Sequence, residues 1–266
     1  MKTIAIVNQK GGCGKTTTAV NLAAALAELE NQVLLVDLDS QAHATLGLGF
    51  NPDILNKSVH DVFTDVEIPP SWVIKNTNYT GLHILPSNIL LSGVEGKITS
   101  LLRREYILKK RLSYLESSYD MCIIDCSPSL SLLTLNALVA SDYVIVPVQT
   151  EYYALEGLKQ LLETVDIVKD RFNRILTVLG ILLTFVDSRN LLSRDVEEQM
   201  RSYFGDLVFN TVIHRTVRLA EAPSAGQPVL SYAAQSKGAL EYKALAKEVS
   251  NGRTNIWVAQ KDIVNI

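Results

Sequence analysis

A short glycine-rich segment near the start of the chain has the residue types needed to hold a phosphate group. Gly11, Gly12 and Gly14 carry no Cβ and can adopt positive φ, so successive backbone N–H groups can converge on one anion. Lys15 adds a full positive charge, and Thr16 offers a hydroxyl at the spacing that ligates Mg²⁺ in phosphate-binding loops. The segment therefore predicts a site for a Mg²⁺-bound oligophosphate.

Three aspartates stand at the ends of hydrophobic runs that predict buried strands. Asp37 and Asp39 close one run, and Asp125 closes another. Ligands of open α/β sheets lie beside the carboxyl ends of the strands, so we expect these carboxylates to gather next to the glycine-rich loop. Mg²⁺ keeps several waters and takes few protein ligands, which suits aspartates that hold its water shell. Three acids around one phosphate-binding loop are a stronger signal than any one alone.

The elements that must position these residues alternate along the chain. An apolar run at residues 4–7, the loop and a helix-like run at 18–29 predict a strand, a turn and a helix, and the next strand completes a right-handed βαβ unit. The sequence thus predicts an α/β fold with a doubly wound, mostly parallel β-sheet flanked by helices. We expect a single domain over residues 1–266, with a C-terminal tail from about residue 251.

Two stretches carry more specific structural predictions. Residues 207–213 are predicted to form a last short strand, and residues 91–115 are predicted to be mostly helical because their apolar residues recur at helical spacing. Five basic side chains in the second stretch are interpreted as a solvated helix face, with nucleic-acid binding as the less favoured alternative. They are Arg103, Arg104, Lys109, Lys110 and Arg111.

Composition limits the classes of function. The chain has 266 residues, of which 47% are hydrophobic and 20% charged, as expected of a globular α/β protein with a full core. A net charge of −3 gives no general basic field for nucleic acid, so DNA binding must come from a local patch. Three cysteines and the lack of a secretory pattern indicate a cytoplasmic protein. The four histidines show no metal-ligand spacing, so we expect no structural zinc.

The loop departs from the standard pattern G-x-x-x-x-G-K-[ST], because Gln9 stands where the first glycine belongs. The sequence KGGCGKTT at residues 10–17 instead resembles the deviant loop of the ParA/MinD family of P-loop ATPases, in which a second lysine lies near the start. Here that lysine is Lys10. From residue 2 to about residue 249 the chain is similar to the ParA/Soj partition ATPases. Four further runs carry this resemblance: VDLDSQ at 36–41, IDCSPSL at 124–130, PVQTEYYALEGL at 147–158 and VRLAEAPS at 217–224.

Several positions depart from the family pattern. The family usually has proline where Ser40, Ser127 and His214 stand, and Gly-Asn where Ala42 and His43 stand. The acids and lysines are intact, so the departures concern fine geometry rather than chemistry. The position of His214 lies near the adenine in relatives, which leaves the base contacts open. No Asn-Lys-x-Asp guanine motif is present, and this disfavours a Ras-like GTPase.

The resemblance implies weak intrinsic ATP hydrolysis with Mg²⁺ in a sandwich dimer, whose two protomers face each other across two nucleotides. Lys10 would cross to the partner's phosphates and act like an arginine finger. Lys15 would bind the β- and γ-phosphates, and Asp39 would position the attacking water. The implied metal-site residues are Thr16, Asp37 and Asp125. The remaining implied nucleotide contacts are Gly11, Gly12, Cys13, Gly14, Thr17 and His214.

The resemblance also implies DNA binding and a protein partner. Arg189 and Arg218 match positions that carry non-specific binding to double-stranded DNA. A ParB-like protein or a cargo adaptor would stimulate hydrolysis and release the dimer from DNA. The implied location is the cytoplasm, in association with the nucleoid.

Other functions are compatible with the same loop. A membrane-cycling regulator like MinD would use the tail at residues 251–266, but its apolar residues lack a sustained helical stripe, so membrane binding is less favoured. A metabolic P-loop ligase that phosphorylates a small carboxylate would need that substrate and would ignore DNA. An iron–sulfur role is the least favoured, because Cys122 and Cys126 are predicted to pack around a strand.

Overall fold

Helices surround a β-sheet in the computed structural model, which describes residues 1–151 and 154–251. The strands are β1 (Lys2–Ile6), β2 (Val33–Leu38), β3 (Lys75–Asn76), β4 (Leu82–Leu85), β5 (Met121–Cys126), β6 (Tyr143–Gln149) and β7 (Thr177–Thr184). The α-helices are α1 (Lys15–Ala27), α2 (His43–Gly47), α3 (Val59–Thr64), α4 (Val94–Ile98), α5 (Ile107–Leu112), α6 (Leu132–Ala140), α7 (Ala154–Arg171), α8 (Leu191–Phe204), α9 (Val217–Glu221), α10 (Val229–Tyr232) and α11 (Lys237–Ser250). Short 3₁₀ helices lie in the connections. The predicted C-terminal tail, apart from Asn251, lies outside the described residues.

The described strands have the order β3-β4-β2-β5-β1-β6-β7. All neighbouring pairs are parallel except β3 with β4, which is a short antiparallel edge pair. The chain builds one side of the sheet with β2 to β4, returns to place β5 between β2 and β1, and adds β6 and β7 on the other side of β1. The predicted doubly wound, mostly parallel α/β fold is confirmed. None of the helices in the described ranges combines the length and hydrophobicity needed to cross a bilayer.

The sheet buries side chains on both faces. Every residue of β2 and β5 is buried, which is typical of parallel strands covered by helices on both sides. Alternate residues of β1 enter different cores, with Ala5 in one and Ile4 and Ile6 in the other. Helices α3 to α8 cover the first face, and α1, α10 and α11 cover the second.

The stretch at residues 91–115 is mostly helical, as predicted, but it is not one continuous helix. The segment forms only two short α-helices, α4 and α5, joined by 3₁₀ turns and an irregular turn at residues 99–103. Gly93 and Gly96 weaken the helical propensity at its start. Arg103 adopts a left-handed backbone with φ of 57°, which cannot continue a right-handed helix.

The predicted strand at residues 207–213 was wrong. Within this segment only Val208 makes an isolated bridge, to Ile181, and His214, just after it, makes another to Val186. The carboxylate of Glu248 on α11 accepts hydrogen bonds from the backbone N–H groups of Asn210 and Thr211, at 2.8 and 3.1 Å. Because a side chain satisfies these donors, no ladder with β7 continues past the bridges.

One glycine on β7 is required by close packing. A Cβ placed on Gly180 would lie 2.5 Å from the ring of Phe209, which is itself fully buried. The absence of a side chain at Gly180 therefore lets the segment after α8 lie directly against the sheet.

We expect Gly180→Ala to lower the free energy of unfolding by about 1–3 kcal/mol, since the added methyl group overpacks the core. Gly157→Ala on α7 is the matched control, because nothing lies within 4 Å of a Cβ there and alanine favours a helix. Urea unfolding followed by circular dichroism measures both. Equal stability of the two variants would contradict the packing role of Gly180.

Candidate functional site

The glycine-rich loop joins the end of β1 to the start of α1. Gly14 caps the helix with φ of 89°, a left-handed conformation that glycine adopts without strain. Its carbonyl accepts the first helical hydrogen bond from Thr18 N–H, at 2.8 Å. No side chain caps the N-terminus of α1. Its first N–H groups are therefore available to an anion, which the helix dipole also favours.

Both lysines of the loop have partners within the chain. Lys15 is buried, and its Nζ donates a hydrogen bond to the backbone carbonyl of Lys10 at 2.8 Å. The Lys10 side chain is half-exposed and forms an ion pair with Glu151, which follows β6. A bound phosphate would replace the neutral carbonyl of Lys10 as the hydrogen-bond acceptor for Lys15 Nζ. Lys10 has to leave Glu151 before it can reach a second protomer.

Side chains from two neighbouring strands hold the loop in place. The hydroxyl of Thr184 at the end of β7 donates to the carbonyl of Cys13 at 2.8 Å. The amide of Asn8 donates to the carbonyl of Pro147 on β6 at 2.7 Å, and its oxygen accepts from the Lys10 N–H at 3.0 Å. Burial raises the pKa of the Cys13 thiol, so this cysteine is a packing residue of the loop rather than a nucleophile.

Asp125 lies at the centre of the acidic cluster. The β2–β5 register places it opposite Asp37, and the β1–β5 register places it opposite Ile6, just before the loop. Its side chain is fully buried, and neither carboxylate oxygen has a hydrogen-bond partner in the described part of the chain. Burial first, and then the charge of Asp37, raises its pKa well above the usual range for aspartate, against the opposing effects of the nearby Thr16 hydroxyl and the Lys15 charge.

A hydrated Mg²⁺ would satisfy this carboxylate. The two carboxylate oxygens have no hydrogen-bond partner and lie next to the loop that carries the Thr16 hydroxyl. Oxygen atoms of these types are the ligands that Mg²⁺ and its waters prefer. Residues 1–151 and 154–251 contain no cluster of three or more His, Cys, Asp or Glu side chains arranged to hold a metal on their own. Mg²⁺ at nucleotide sites takes most of its ligands from phosphates and water, so the residues present fit it.

Asp37 is fixed by the chain itself. Thr45 on α2 donates to one of its carboxylate oxygens from both its backbone N–H and its hydroxyl, at 2.8 and 2.7 Å. The Asp39 N–H reaches the other oxygen at 3.2 Å. Burial raises the pKa of Asp37 to about 6, against the opposing effect of the Thr45 hydrogen bonds. Asp37 therefore has less free capacity to contact a metal's water shell than Asp125 has.

Asp39 differs from the other two acids because it is only half-buried. It follows the last residue of β2, and one of its carboxylate oxygens accepts a hydrogen bond from Gln41 N–H at 3.0 Å. A half-buried carboxylate at this strand end can contact water, which the buried pair cannot do as readily.

A cavity of about 340 Å³ opens beside the loop. His214 forms part of its wall, and Glu241 on α11 holds that residue twice. The carboxylate accepts from the His214 backbone N–H at 2.9 Å and contacts the ring Nδ1 at 2.7 Å. The loop contributes Gly14 and Thr17, and the other lining residues are Thr184, Phe185, Ile213, Arg215, Thr216, Leu219, Ala220, Pro223 and Tyr242.

The two arginines do not join the loop and the acids. Arg189 follows β7 and Arg218 lies on α9, and both side chains are exposed. Each forms an ion pair with an acid close in the chain: Arg189 with Asp187 at 3.2 Å, and Arg218 with Glu221 at 2.8 Å. The bridge between residues 186 and 214 joins the two segments that carry these arginines, and neither arginine lines the cavity.

Several residues that shape this site were not among the predicted ones. Thr45 fixes Asp37, Thr184 anchors the loop, Glu241 orients His214, and Glu151 holds Lys10. Three of these contacts join residues between 27 and 171 positions apart. No local pattern signals such pairs. Glu151 does fall within one of the runs that carried the family resemblance, but nothing in that run indicates its partner.

A doubly wound sheet, a glycine-rich loop that opens the first helix and carboxylates at adjoining strand ends define a P-loop NTPase. A family model described as an AAA domain matches residues 1–178. The chain is 49% identical to the sporulation initiation inhibitor protein Soj of Bacillus subtilis (strain 168), over 94% of this chain and 98% of that protein. It is 46% identical to the chromosome partitioning protein ParA of Myxococcus xanthus (strain DK1622), over 92% and 87% of the two chains. The chain therefore belongs to the ParA/Soj family of chromosome-partitioning ATPases.

The site also has a counterpart among solved structures. A Mycobacterium smegmatis structure described as cobyrinic acid a,c-diamide synthase, with a bound ATP analogue and magnesium, is 40% identical to the chain. The two superpose with a TM-score of 0.83, over 94% of this chain and 95% of that one. That protein shows that this architecture accommodates an adenine nucleotide together with magnesium.

Removing the buried charge of Asp125 should have opposite effects on stability and on ligand binding. A raised pKa in the folded state gives a stability contribution that is present below the ordinary pKa near 4 and is lost as pH rises through the raised value. We therefore expect the Asp125→Asn variant, without nucleotide and with a chelator that removes Mg²⁺, to be more stable than the unmutated protein at pH 8. The difference in free energy of unfolding should shrink towards pH 5. Each unit of pKa difference corresponds to about 1.4 kcal/mol.

Urea unfolding between pH 5 and pH 8 measures this difference. Asp37 is present in both proteins, so both share its contribution to the pH dependence of stability. The same variant should lose the extra thermal stabilisation that Mg²⁺ adds to nucleotide. A less stable variant at pH 8, or one that keeps the Mg²⁺-dependent stabilisation, would contradict the proposed position of Asp125 at the metal.

Proposed function

We propose that the chain hydrolyses ATP and uses the cycle to alternate between a DNA-bound dimer and a free monomer during the partition of DNA or the positioning of another cargo. The observation that carries this proposal is the unpartnered, fully buried carboxylate of Asp125 beside an uncapped helix N-terminus. A buried carboxylate without a partner lowers the stability of the fold. Together with the uncapped helix N-terminus, it suits a ligand that brings a cation and an anion. Membership of the ParA/Soj family supplies the biological setting.

Each residue of the site has a proposed role. The loop N–H groups and Lys15 hold the phosphates, and the Thr16 hydroxyl and Asp125 hold Mg²⁺ through its coordination shell. Mg²⁺ neutralises charge on the outer phosphates when it is bound. Asp37, locked by Thr45, supports that site, and Asp39 positions the attacking water.

Lys10 has a proposed role in the partner's active site rather than its own. It leaves Glu151, crosses the dimer interface and stabilises charge on the transferring phosphoryl group. The pair is half-exposed on both sides, and such pairs contribute about 1 kcal/mol or less, so phosphate can replace Glu151. Hydrolysis then depends on dimerisation.

The cavity beside the loop is the proposed site of the base. Contact with the Glu241 carboxylate favours a proton on Nδ1 of His214, which leaves Nε2 as a hydrogen-bond acceptor in the neutral ring. An acceptor suits the amino group of adenine and not the carbonyl oxygen of guanine. We propose that Nε2 faces the base and accepts from adenine, a role that the usual proline could not perform.

The exposed arginines form the proposed DNA contact. Their ion pairs with Asp187 and Glu221 are local and solvent-exposed, so DNA phosphates can compete for them. Two arginines per protomer give about four phosphate contacts per dimer and a log–log salt slope of roughly −3.6. A ParB-like protein or a cargo adaptor is the proposed stimulating partner, and the proposed location is the nucleoid in the cytoplasm.

A metabolic ligase is the second candidate, because the similar Mycobacterium smegmatis structure is described as a diamide synthase. An enzyme of that class would activate a small carboxylate with ATP. Its turnover would depend on that carboxylate and an amino donor, and would not respond to DNA. The tail that a membrane-cycling function would use lies, apart from Asn251, outside the described residues.

Hydrolysis and DNA binding should separate in two variants. Asp39→Ala should dimerise with ATP and stay on duplex DNA, because it binds nucleotide but cannot position water. Arg189→Glu/Arg218→Glu should dimerise and hydrolyse ATP yet lose DNA. We would measure ATPase rates, sedimentation and DNA anisotropy over a salt series.

The matched control is Arg171→Glu/Arg174→Glu, which makes the same charge change at exposed positions at the end of α7 and just after it, and should keep DNA binding. If the double variant at residues 189 and 218 bound DNA as tightly as this control, the patch would lie elsewhere. If ATP turnover required a small carboxylate and ignored DNA in all variants, the ligase would replace the partition function.

The base preference gives a separate test. His214→Ala should reduce the preference for ATP over GTP by about two- to tenfold, the worth of one hydrogen bond. His214→Gln keeps a side-chain acceptor and should retain more of the preference. Competition binding with a fluorescent ATP analogue measures both variants. An equal loss of affinity for ATP and GTP would show that His214 only shapes the cavity.

A further inference from the structure

A second large concavity lies away from the nucleotide site. It has a volume of about 890 Å³ and runs between α3, the turn at residues 99–103 and α5, and we name it the α3–α5 groove. Its floor includes Val62 and Phe63, which belong to the core on the sheet face covered by α3 to α8. Helices α1 and α11, which contribute to the nucleotide cavity, cover the opposite face.

The walls of the groove expose an unusual amount of apolar surface. Leu102 is 93% exposed, Val66 79%, Tyr114 62% and Leu101 49%. The left-handed backbone of Arg103 ends the turn that carries the two leucines. Single exposed apolar side chains are ordinary, but four around one concavity mark an interaction surface.

The polar part of the groove is basic. Arg103 and Lys110 are exposed along it, and no acidic side chain lines it among the residues that the structure describes. Asp61, Asp65, Glu67 and Glu105 are next in the chain to lining residues, but none of the four lines the groove. The polar surface therefore favours a negatively charged occupant.

A buried arginine strengthens this charge. Arg111 is 7% exposed, and its guanidinium donates to the backbone carbonyls of residues 65, 66 and 68. These acceptors are neutral, so the positive charge is not compensated by them. The Nε of Arg111 is buried without any hydrogen-bond partner in the described chain. A buried cation beneath an apolar wall attracts carboxylates more strongly than a fully solvated one does.

We propose that the α3–α5 groove binds an acidic amphipathic segment of a partner protein. Apolar side chains of that segment would pack on Leu101, Leu102 and Tyr114, and its carboxylates would face Arg103 and Lys110. A nucleic-acid backbone would use the basic side chains but leave the leucines against solvent. Because the groove and the nucleotide cavity lie on opposite sheet faces, both can be occupied together. The proposal does not depend on which reaction the nucleotide site performs.

Selection from a displayed library of random peptides, each about 12 residues long, tests the chemistry of the occupant on the full chain with Mg²⁺ and ATP. We expect selected peptides to combine Asp or Glu with large apolar residues at helical spacing. Leu102→Ser/Lys110→Glu should weaken their binding by about tenfold or more. Both altered side chains are exposed, so circular dichroism and ATPase activity should not change.

The matched control is Leu240→Ser/Lys247→Glu on α11, which makes the same two changes at exposed positions on the opposite sheet face and should bind the peptides normally. Basic selected peptides, or acidic ones that bind the groove variant unchanged, would overturn the proposal. Lower affinity of the groove variant for duplex DNA would identify a nucleic-acid surface instead. Weaker self-association in sedimentation would identify an interface between copies of the chain. Lys110→Glu alone, with the leucine intact, repeats the measurement should the double variant misfold.

Discussion

The burial of two carboxylates at adjoining strand ends is the constraint on which the rest of the structure depends. The β2–β5 register pairs Asp37 with Asp125 in a fully buried position, where burial raises the pKa of both and the charge of Asp37 raises the pKa of Asp125 further. Burial of an ionisable group without compensation is costly. Thr45 donates two hydrogen bonds to Asp37, whereas Asp125 has only the nearby Thr16 hydroxyl and Lys15 charge to oppose the rise in its pKa. Asp125 is left for a cation, so folding and ligand binding oppose each other at this residue.

The glycine-rich loop places positive charge next to these buried carboxylates. It follows β1, which is the strand next to β5, so the loop and Asp125 are adjacent through the sheet and not through the sequence. Hydrogen bonds from Thr184 and Asn8 keep the loop open against β6 and β7. The helix N-terminus and the buried acids then face the same space, where an anion and a cation together satisfy both.

Three exposed positive charges with proposed roles in binding phosphate groups form ion pairs with nearby acids. Lys10 pairs with Glu151, Arg189 with Asp187 and Arg218 with Glu221. Such solvent-exposed pairs contribute little to stability and are weakened by salt. They can therefore be exchanged for phosphate groups at small cost. Arg111 is different, because its buried guanidinium contacts neutral carbonyls and cannot be exchanged in the same way.

The sequence alone determined the fold class and the family, because glycines, strand-end acids and apolar runs are local patterns with few compatible architectures. It did not determine the path of residues 91–115 or 207–213, where Arg103 takes a left-handed conformation and Glu248 satisfies backbone donors in place of a strand. Thr45, Thr184 and Glu241 became visible only in the tertiary structure. Their contacts join elements that the sheet and its covering helices bring together, and hydrogen bonds of this kind depend on distance in space rather than on spacing along the chain.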